Sequence, residues 1–279
     1  MEKKFDISSI NHLLVIVPHQ DDEILIGAGL IYQLLKRKKN VTVAIVTNGD
    51  YECSDFSKGR LRLRESLSGL EMVGLSKENV FFLGYADTGM RREESFLTAL
   101  FHTEEGEKVF PSSASSLTYG LEDKEDFHFM CFGEHGSYSK NTLINDLQEL
   151  INRCNPDTIL TTHPLDMHGD HEALFYFVKS VLEDKNVFSD IRVFGGMVHS
   201  PEGDETWPLR DSLCFTCPKG MEESWEERLV LPLGANFIGG KIDGNLKYEA
   251  LKKYETALEP NAVDYLMAFM KDEEIFWEL

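Results

Sequence analysis

Five apolar runs without strict polar alternation recur along the chain: Leu13–Val17, Val41–Thr47, Val80–Leu83, Thr158–Thr162 and Ile191–Val198. Runs of Val, Ile, Leu and Phe of this length predict strands buried on both faces. Between them lie segments with helical patterning: Ile24–Lys38, Gly59–Val73, Lys140–Arg153 and Glu172–Leu182. In the third, Leu143, Ile144, Leu147, Leu150 and Ile151 recur at helical spacing. Strand and helix alternate, which predicts an α/β, Rossmann-like, doubly wound and mainly parallel sheet with right-handed crossovers. In such sheets a ligand sits beyond the carboxyl ends of the strands.

The segment from Asp87 to Ser139 breaks this rhythm and is too long for an ordinary connection. It reads as an excursion inserted after the third strand, a lid or substrate-shaping element with short structure of its own. Beyond about Asp204 the chain adds further strands and a helix near Asn245–Leu258, with no linker to mark a second domain. A single domain over residues 1–279 is the expectation.

Composition narrows the functional classes. The 28 Lys and Arg against 48 Asp and Glu give a net charge of −20, which repels polyphosphate, so no nucleic-acid partner is expected. No apolar run reaches the length of a membrane span and the first residues lack a secretory pattern, so membrane insertion is not expected and the expected location is cytoplasmic. The five cysteines are irregularly spaced; Cys214 and Cys217 form a CxxC without two further soft ligands nearby, and read as ordinary packed thiols. A homo-oligomer is left open.

The candidate chemistry lies in two segments. The first strand runs directly into His19-Gln20-Asp21-Asp22-Glu23, which places four ionisable side chains at a strand's carboxyl end. An acidic helix start would account for the carboxylates alone; a bound cation would account for the whole group. After the fourth strand comes His163-Pro164-Leu165-Asp166-Met167-His168-Gly169-Asp170-His171, at the same end of the sheet. His and carboxylate donors suit zinc, and a catalytic zinc needs three protein ligands and an open position. The isolated His12, His102 and His128 read as structural. His199 follows the fifth strand, where a substrate contact could lie.

These segments resemble the LmbE/PIG-L-type zinc N-deacetylases, whose signatures are a strand ending in HPDDE and a later HxDH. Here they stand as His19-Gln20-Asp21-Asp22-Glu23 and His168-Gly169-Asp170-His171. Thr47-Asn48-Gly49-Asp50, Arg62-Leu63-Arg64-Glu65 and Val80–Asp87 also match, with a weaker match at Lys247–Tyr254. The resemblance implies zinc held by His19, Asp22 and His171, Asp21 as general base, His168 stabilising the oxyanion and Arg62 binding substrate. Arg64 stands close enough to Arg62 to be confused with it. Gln20 departs from the family proline and keeps an N–H that proline lacks. Asp170 is expected to hydrogen-bond and orient a histidine of the cluster. His163 and Asp166 are left between orienting, substrate-facing and structural roles.

The implied reaction is hydrolysis of an N-acetyl group on an N-acetylglucosamine-containing small molecule, with zinc activating water. The alternatives are an amidase of another small-molecule conjugate and a non-catalytic metal- or glycan-binding protein of the same fold. A dinucleotide enzyme, raised by Gly27 and Gly29, is opposed by Asp21, Asp22 and Glu23, which would repel a pyrophosphate.

Overall fold

The computed structural model describes residues 3–183, 190–239, 242–258 and 262–279. In chain order the strands are β1 (Lys3–Lys4), β2 (His12–Val17), β3 (Asn40–Thr47), β4 (Val80–Tyr85), β5 (Thr158–Thr162), β6 (Arg192–Gly196), β7 (Leu229–Pro232) and β8 (Glu273–Glu278). The helices are α1 (Asp22–Lys36), α2 (Ser57–Met72), α3 (Phe96–His102), α4 (Phe127–Phe132), α5 (Lys140–Cys154), α6 (Gly169–Leu182), α7 (Leu246–Leu251) and α8 (Val263–Met267). All the strands join one sheet in the order β1-β7-β8-β6-β5-β2-β3-β4. Every pairing is parallel except those of β8, which runs antiparallel to both β6 and β7.

The apolar runs are continuous because both faces of the sheet are covered. Along β2, Leu13, Val15 and Val17 join the core on the α1 side, while Leu14 and Ile16 join the core under α3, α5 and α6. Helix α1 is buried nearly all round, because β8 and α7 also pack on it. Its glycines serve that packing: a Cβ at Gly27 would stand 3.1 Å from Leu160, and one at Gly29 would stand 2.3 Å from Leu233. A phosphate-binding role for them has no support in this arrangement.

Of the boundaries that differ from the expectation, three have local reasons. Helix α6 starts at Gly169 rather than Glu172, because the His168 ring caps it through a bond from the Asp170 amide. Strand β6 stops at Gly196 rather than Val198, because the amides of Val198 and His199 turn to Asp166. Helix α7 is shorter than Asn245–Leu258, and the Asn245 side chain caps its start. The 87–139 excursion is folded down onto the sheet rather than standing over it as a lid: α3 packs on α6, and Tyr119, Phe127 and Tyr138 are buried. All five cysteines are unbridged. Among the described residues no helix is long and apolar enough to cross a membrane.

Candidate active site

The strand order reverses between β2 and β5, since β3 and β4 continue to one side of β2 and β6 to the far side of β5. Such a switch point opens a crevice at the carboxyl ends, where diverging crossovers leave space. The turn after β2 carries His19 and Asp21 and leads into Asp22 at the start of α1; the loop after β5 carries His163 to His168 and leads into Asp170 and His171 in the first turn of α6. Both chemistry-bearing segments therefore meet in one crevice.

Three donor atoms converge there. His19 Nδ1 lies 3.1 Å from His171 Nε2, and Asp22 Oδ2 lies 3.4 Å from the first and 3.3 Å from the second. The far nitrogen of each ring is already engaged: His19 Nε2 lies 3.1 Å from Asp170 Oδ2, and His171 Nδ1 lies 3.1 Å from Asp166 Oδ2. A neutral ring whose far nitrogen donates to a carboxylate turns its lone pair inward, so two lone pairs and a carboxylate oxygen share one point. Those edges match a tetrahedral zinc, whose bonds of about 2.0–2.1 Å give roughly 3.3 Å between ligand atoms. Without a cation the cluster is satisfied by protons. Burial opposes charge on His19, but the Asp170 and Asp22 bonds raise its pKa to about 10. His171 is likewise raised well above the ordinary range, because Asp166 and Asp22 outweigh its burial. Asp22 is held well below the carboxylate range, since the two rings outweigh the burial that opposes its charge.

His168 also brings a ring nitrogen within 4.8 Å of those of His19 and His171. Its Nδ1 accepts the Asp170 N–H at 3.1 Å, so the neutral ring carries its proton on Nε2 and presents a donor instead of a ligand. Burial, together with the His19 and His171 charges, drives its pKa far down. The ring that offers this N–H is therefore neutral.

Asp21 stands just outside the triangle. It caps α1 at φ 101° and ψ −31°, a left-handed backbone that costs a non-glycine residue about 1–3 kcal/mol. Its carbonyl accepts the amides of Ile24 and Leu25, and its own amide donates to Glu23 Oε2 at 3.0 Å. This turn places Asp22 in the first turn of the helix and frees the Asp21 carboxyl to line the cavity. Burial and the Asp22 charge raise its pKa to about 7, against the pull of Arg62 and His19.

Arg62 Nη2 donates to the Gln20 carbonyl at 3.1 Å and lies 4.0 Å from Asp21 Oδ2. Arg64 pairs at the surface with Asp123, so the structure brings Arg62 and not Arg64 to the site. Gln20 uses what a proline lacks: its side chain is buried and donates to the Thr47 carbonyl at 2.6 Å, tying the motif to the end of β3. Gly49 makes room for this, since a Cβ there would fall 2.4 Å from Gln20 Oε1 and 2.7 Å from Arg62 Nε.

The cavity above the triangle has a volume of about 510 Å³, within the range of small-molecule sites. Its wall combines apolar Leu25, Met90, Val198 and Leu266 with polar Arg62, Asp87, His199 and Tyr265. His199 stacks on Tyr265 at 5.5 Å, and its Nδ1 lies 2.6 Å from Asp204 Oδ2. Asp50 accepts the Asp87 amide and the Tyr119 hydroxyl, which fixes where the excursion enters the wall.

All seven residues singled out by motif, His19, Asp21, Asp22, Arg62, His168, Asp170 and His171, gather here. Asp166, left undecided from sequence, is a hub: Oδ2 takes the Val198 and His199 amides as well as the His171 ring, and Oδ1 takes the His168 amide. His163 is turned away. Its Nδ1 accepts the Leu165 amide, its ring packs against Trp277, and burial lowers its pKa to about 4. Ser95 of the excursion, which no motif marked, donates to Asp170 Oδ1 at 2.6 Å beside the Leu97 amide.

Comparison with known proteins identifies the fold and the family. The chain can be superposed on N,N'-diacetylchitobiose deacetylase from Pyrococcus horikoshii with a TM-score of 0.57 and 12% identity, covering 99% of this chain and 87% of that one. The A40926 pseudoaglycone deacetylase gives a TM-score of 0.58 at 15% identity, with 96% of each chain covered. The zinc-inhibited form of teicoplanin deacetylase gives 0.55 at 15% identity, covering 96% and 97%. At these identities the likeness establishes the fold. No curated protein sequence matches. Residues 14–182, which include both loops of the triangle, match the PIG-L family, described as GlcNAc-PI de-N-acetylase. The chain belongs to the PIG-L family of de-N-acetylases.

Proposed function

We propose that the protein is a zinc-dependent N-deacetylase that hydrolyses the acetamide of an N-acetylglucosamine-containing small molecule. The observation that carries this reading is the convergence of His19 Nδ1, Asp22 Oδ2 and His171 Nε2, with the unligated carboxyl of Asp21 beside them. His19, Asp22 and His171 would hold a zinc ion, which when bound would acidify a water and polarise the acetyl carbonyl. Asp21 accepts a proton from the attacking water as oxygen bonds to the carbonyl carbon. His168 donates its Nε2–H to the oxygen that gains charge. The C–N bond then breaks, and the departing nitrogen takes up the proton held by Asp21, giving the free amine and acetic acid, whose remaining proton passes to solvent to leave acetate. Arg62 and Asp87 supply a cationic donor and an acceptor for sugar hydroxyls at the wall, while Leu25, Met90, Val198 and Leu266 cover apolar ring faces. The sugar class is supported by family membership and by deacetylases of N,N'-diacetylchitobiose and teicoplanin that share the fold.

The deciding experiment measures zinc content by elemental analysis and acetate release from a panel of N-acetylated sugars. Stoichiometric zinc with acetate released is the expected result. Zinc with no release from any N-acyl compound would sink the enzymatic reading and leave a binding protein; release only from acyl conjugates without a sugar would move the substrate class. His168→Ala should lower kcat by about 10²–10³ with zinc retained, the worth of one oxyanion donor. Asp166→Asn weakens the partner of His171 Nδ1 and should lower zinc affinity about 10–100-fold, measured by competition with a chromophoric chelator.

A further inference from the structure

We infer that Glu23 and Tyr254 are positioning residues for Asp21, so that a segment far along the chain sets the orientation of the base. This rests on the role of Asp21 in the reaction proposed above. Asp21 adopts a backbone that an L-residue rarely takes, φ 101°, and its amide cannot enter the helix it caps. That amide donates to Glu23 Oε2 at 3.0 Å, and Glu23 Oε1 accepts the Tyr254 hydroxyl at 2.7 Å. Glu23 and Tyr254 are both fully enclosed, with 0% and 1% exposure. Neither lines the cavity, so neither touches substrate.

The clamp is anchored on three sides. The Tyr254 ring lies in a slot against α2 that exists because residue 69 is glycine, where a Cβ would fall 2.3 Å from the ring. Seven residues earlier, Lys247 donates its Nζ to the Leu25 carbonyl of α1 at 2.7 Å. Two residues later, the Thr256 amide donates to Glu65 of α2 at 3.0 Å. The segment Lys247–Thr256 is thus pinned to both helices that flank the metal loop, and Tyr254 is the point from which it reaches the motif. One Glu23 oxygen accepts the Asp21 amide, and the other accepts the Tyr254 hydroxyl.

Three variants test this. Glu23→Ala should lower kcat about 10²-fold, the scale of a misplaced catalytic group, with KM and zinc content unchanged. Tyr254→Phe keeps the ring in its slot and should lower kcat about tenfold, the scale of one hydrogen bond to a carboxyl. Glu23→Gln should restore most of the rate: its Oε1 can accept the Asp21 amide while its NH₂ faces the Tyr254 oxygen, whose proton turns to nearby Ser66. Crystal structures supply a readout independent of turnover, and Asp21 should leave φ near +100° in Glu23→Ala and keep it in Glu23→Gln. Rates within twofold of wild type for both Glu23→Ala and Tyr254→Phe, or an Asp21 backbone unchanged in Glu23→Ala, overturn the inference. Glu23→Gln as slow as Glu23→Ala also overturns it, because the charge and not the bond geometry would then matter. If Glu23→Ala does not fold, Tyr254→Phe decides alone. A wild-type protein that releases no acetate fails the proposed function instead, and the crystallographic arm still decides the clamp.

Discussion

Replacing Asp21 by asparagine should leave zinc bound and lower kcat by about 10²–10⁴, the contribution of a well-placed general base. Zinc stays because Asp21 supplies no vertex of the triangle; His19, Asp22 and His171 do. The pH profile gives a second check. Burial and the adjacent Asp22 raise the pKa of Asp21 to about 7. A base acts in its ionised form, so kcat/KM falls as pH drops through the pKa of the free enzyme. A divalent cation beside Asp21 favours the carboxylate, so in the zinc-loaded protein this acid limb lies below 7. It should disappear in the residual activity of Asp21→Asn. A variant that keeps both its rate and its acid limb would remove Asp21 from the chemistry.

The second large effect concerns the metal. His19→Ala should reduce zinc from one per chain to near none and abolish acetate release. The histidine supplies one of three donors, and its removal leaves Asp22 and Asp170 buried at 2% and 0% exposure without the ring they share. Breaking a buried charge pair from one side costs about 3–5 kcal/mol, so the melting temperature should fall as well. Chelation of wild-type protein separates the two consequences: activity should vanish without that loss and return on adding zinc. Zinc binding should also release protons at pH 7, because His19, raised to about 10, and His171, raised well above its ordinary range, must give up protons to ligate. Calorimetry in buffers of different ionisation enthalpy measures that release. Zinc binding without proton release would mean that the rings do not ligate.

Much of this arrangement was legible before any coordinates. The unbroken apolar runs and the helical spacing between them are local consequences of burial on both faces, and they locate β2, β3, β4 and β5 and most of α1, α2, α5 and α6. The two polar motifs follow β2 and β5, and the rule of carboxyl-end sites already put them at the same end of the sheet. Their pairing across the switch point therefore needed only element order.

The sequence alone could not place what depends on distant partners. Asp166 sits five residues before His171, yet its role as a hub follows from Val198 and His199 turning back to it. Ser95 and Asp204 carry no signature and Tyr254 only ends a weak family match, because what they do depends on the packing of an excursion and a C-terminal segment. Residue pattern also could not give the tautomer of His168, which depends on the cap it provides to α6.

Periodicity and motif spacing are properties of neighbouring residues, so residue order was enough to give an alternating α/β chain, the end of the sheet where its chemistry lies and the residue types that can hold a cation. Which nitrogens converge, how Asp170 turns His19 inward and what anchors the Glu23 beside Asp21 were settled by the fold, because those depend on side chains 152, 151 and 231 residues apart in the chain.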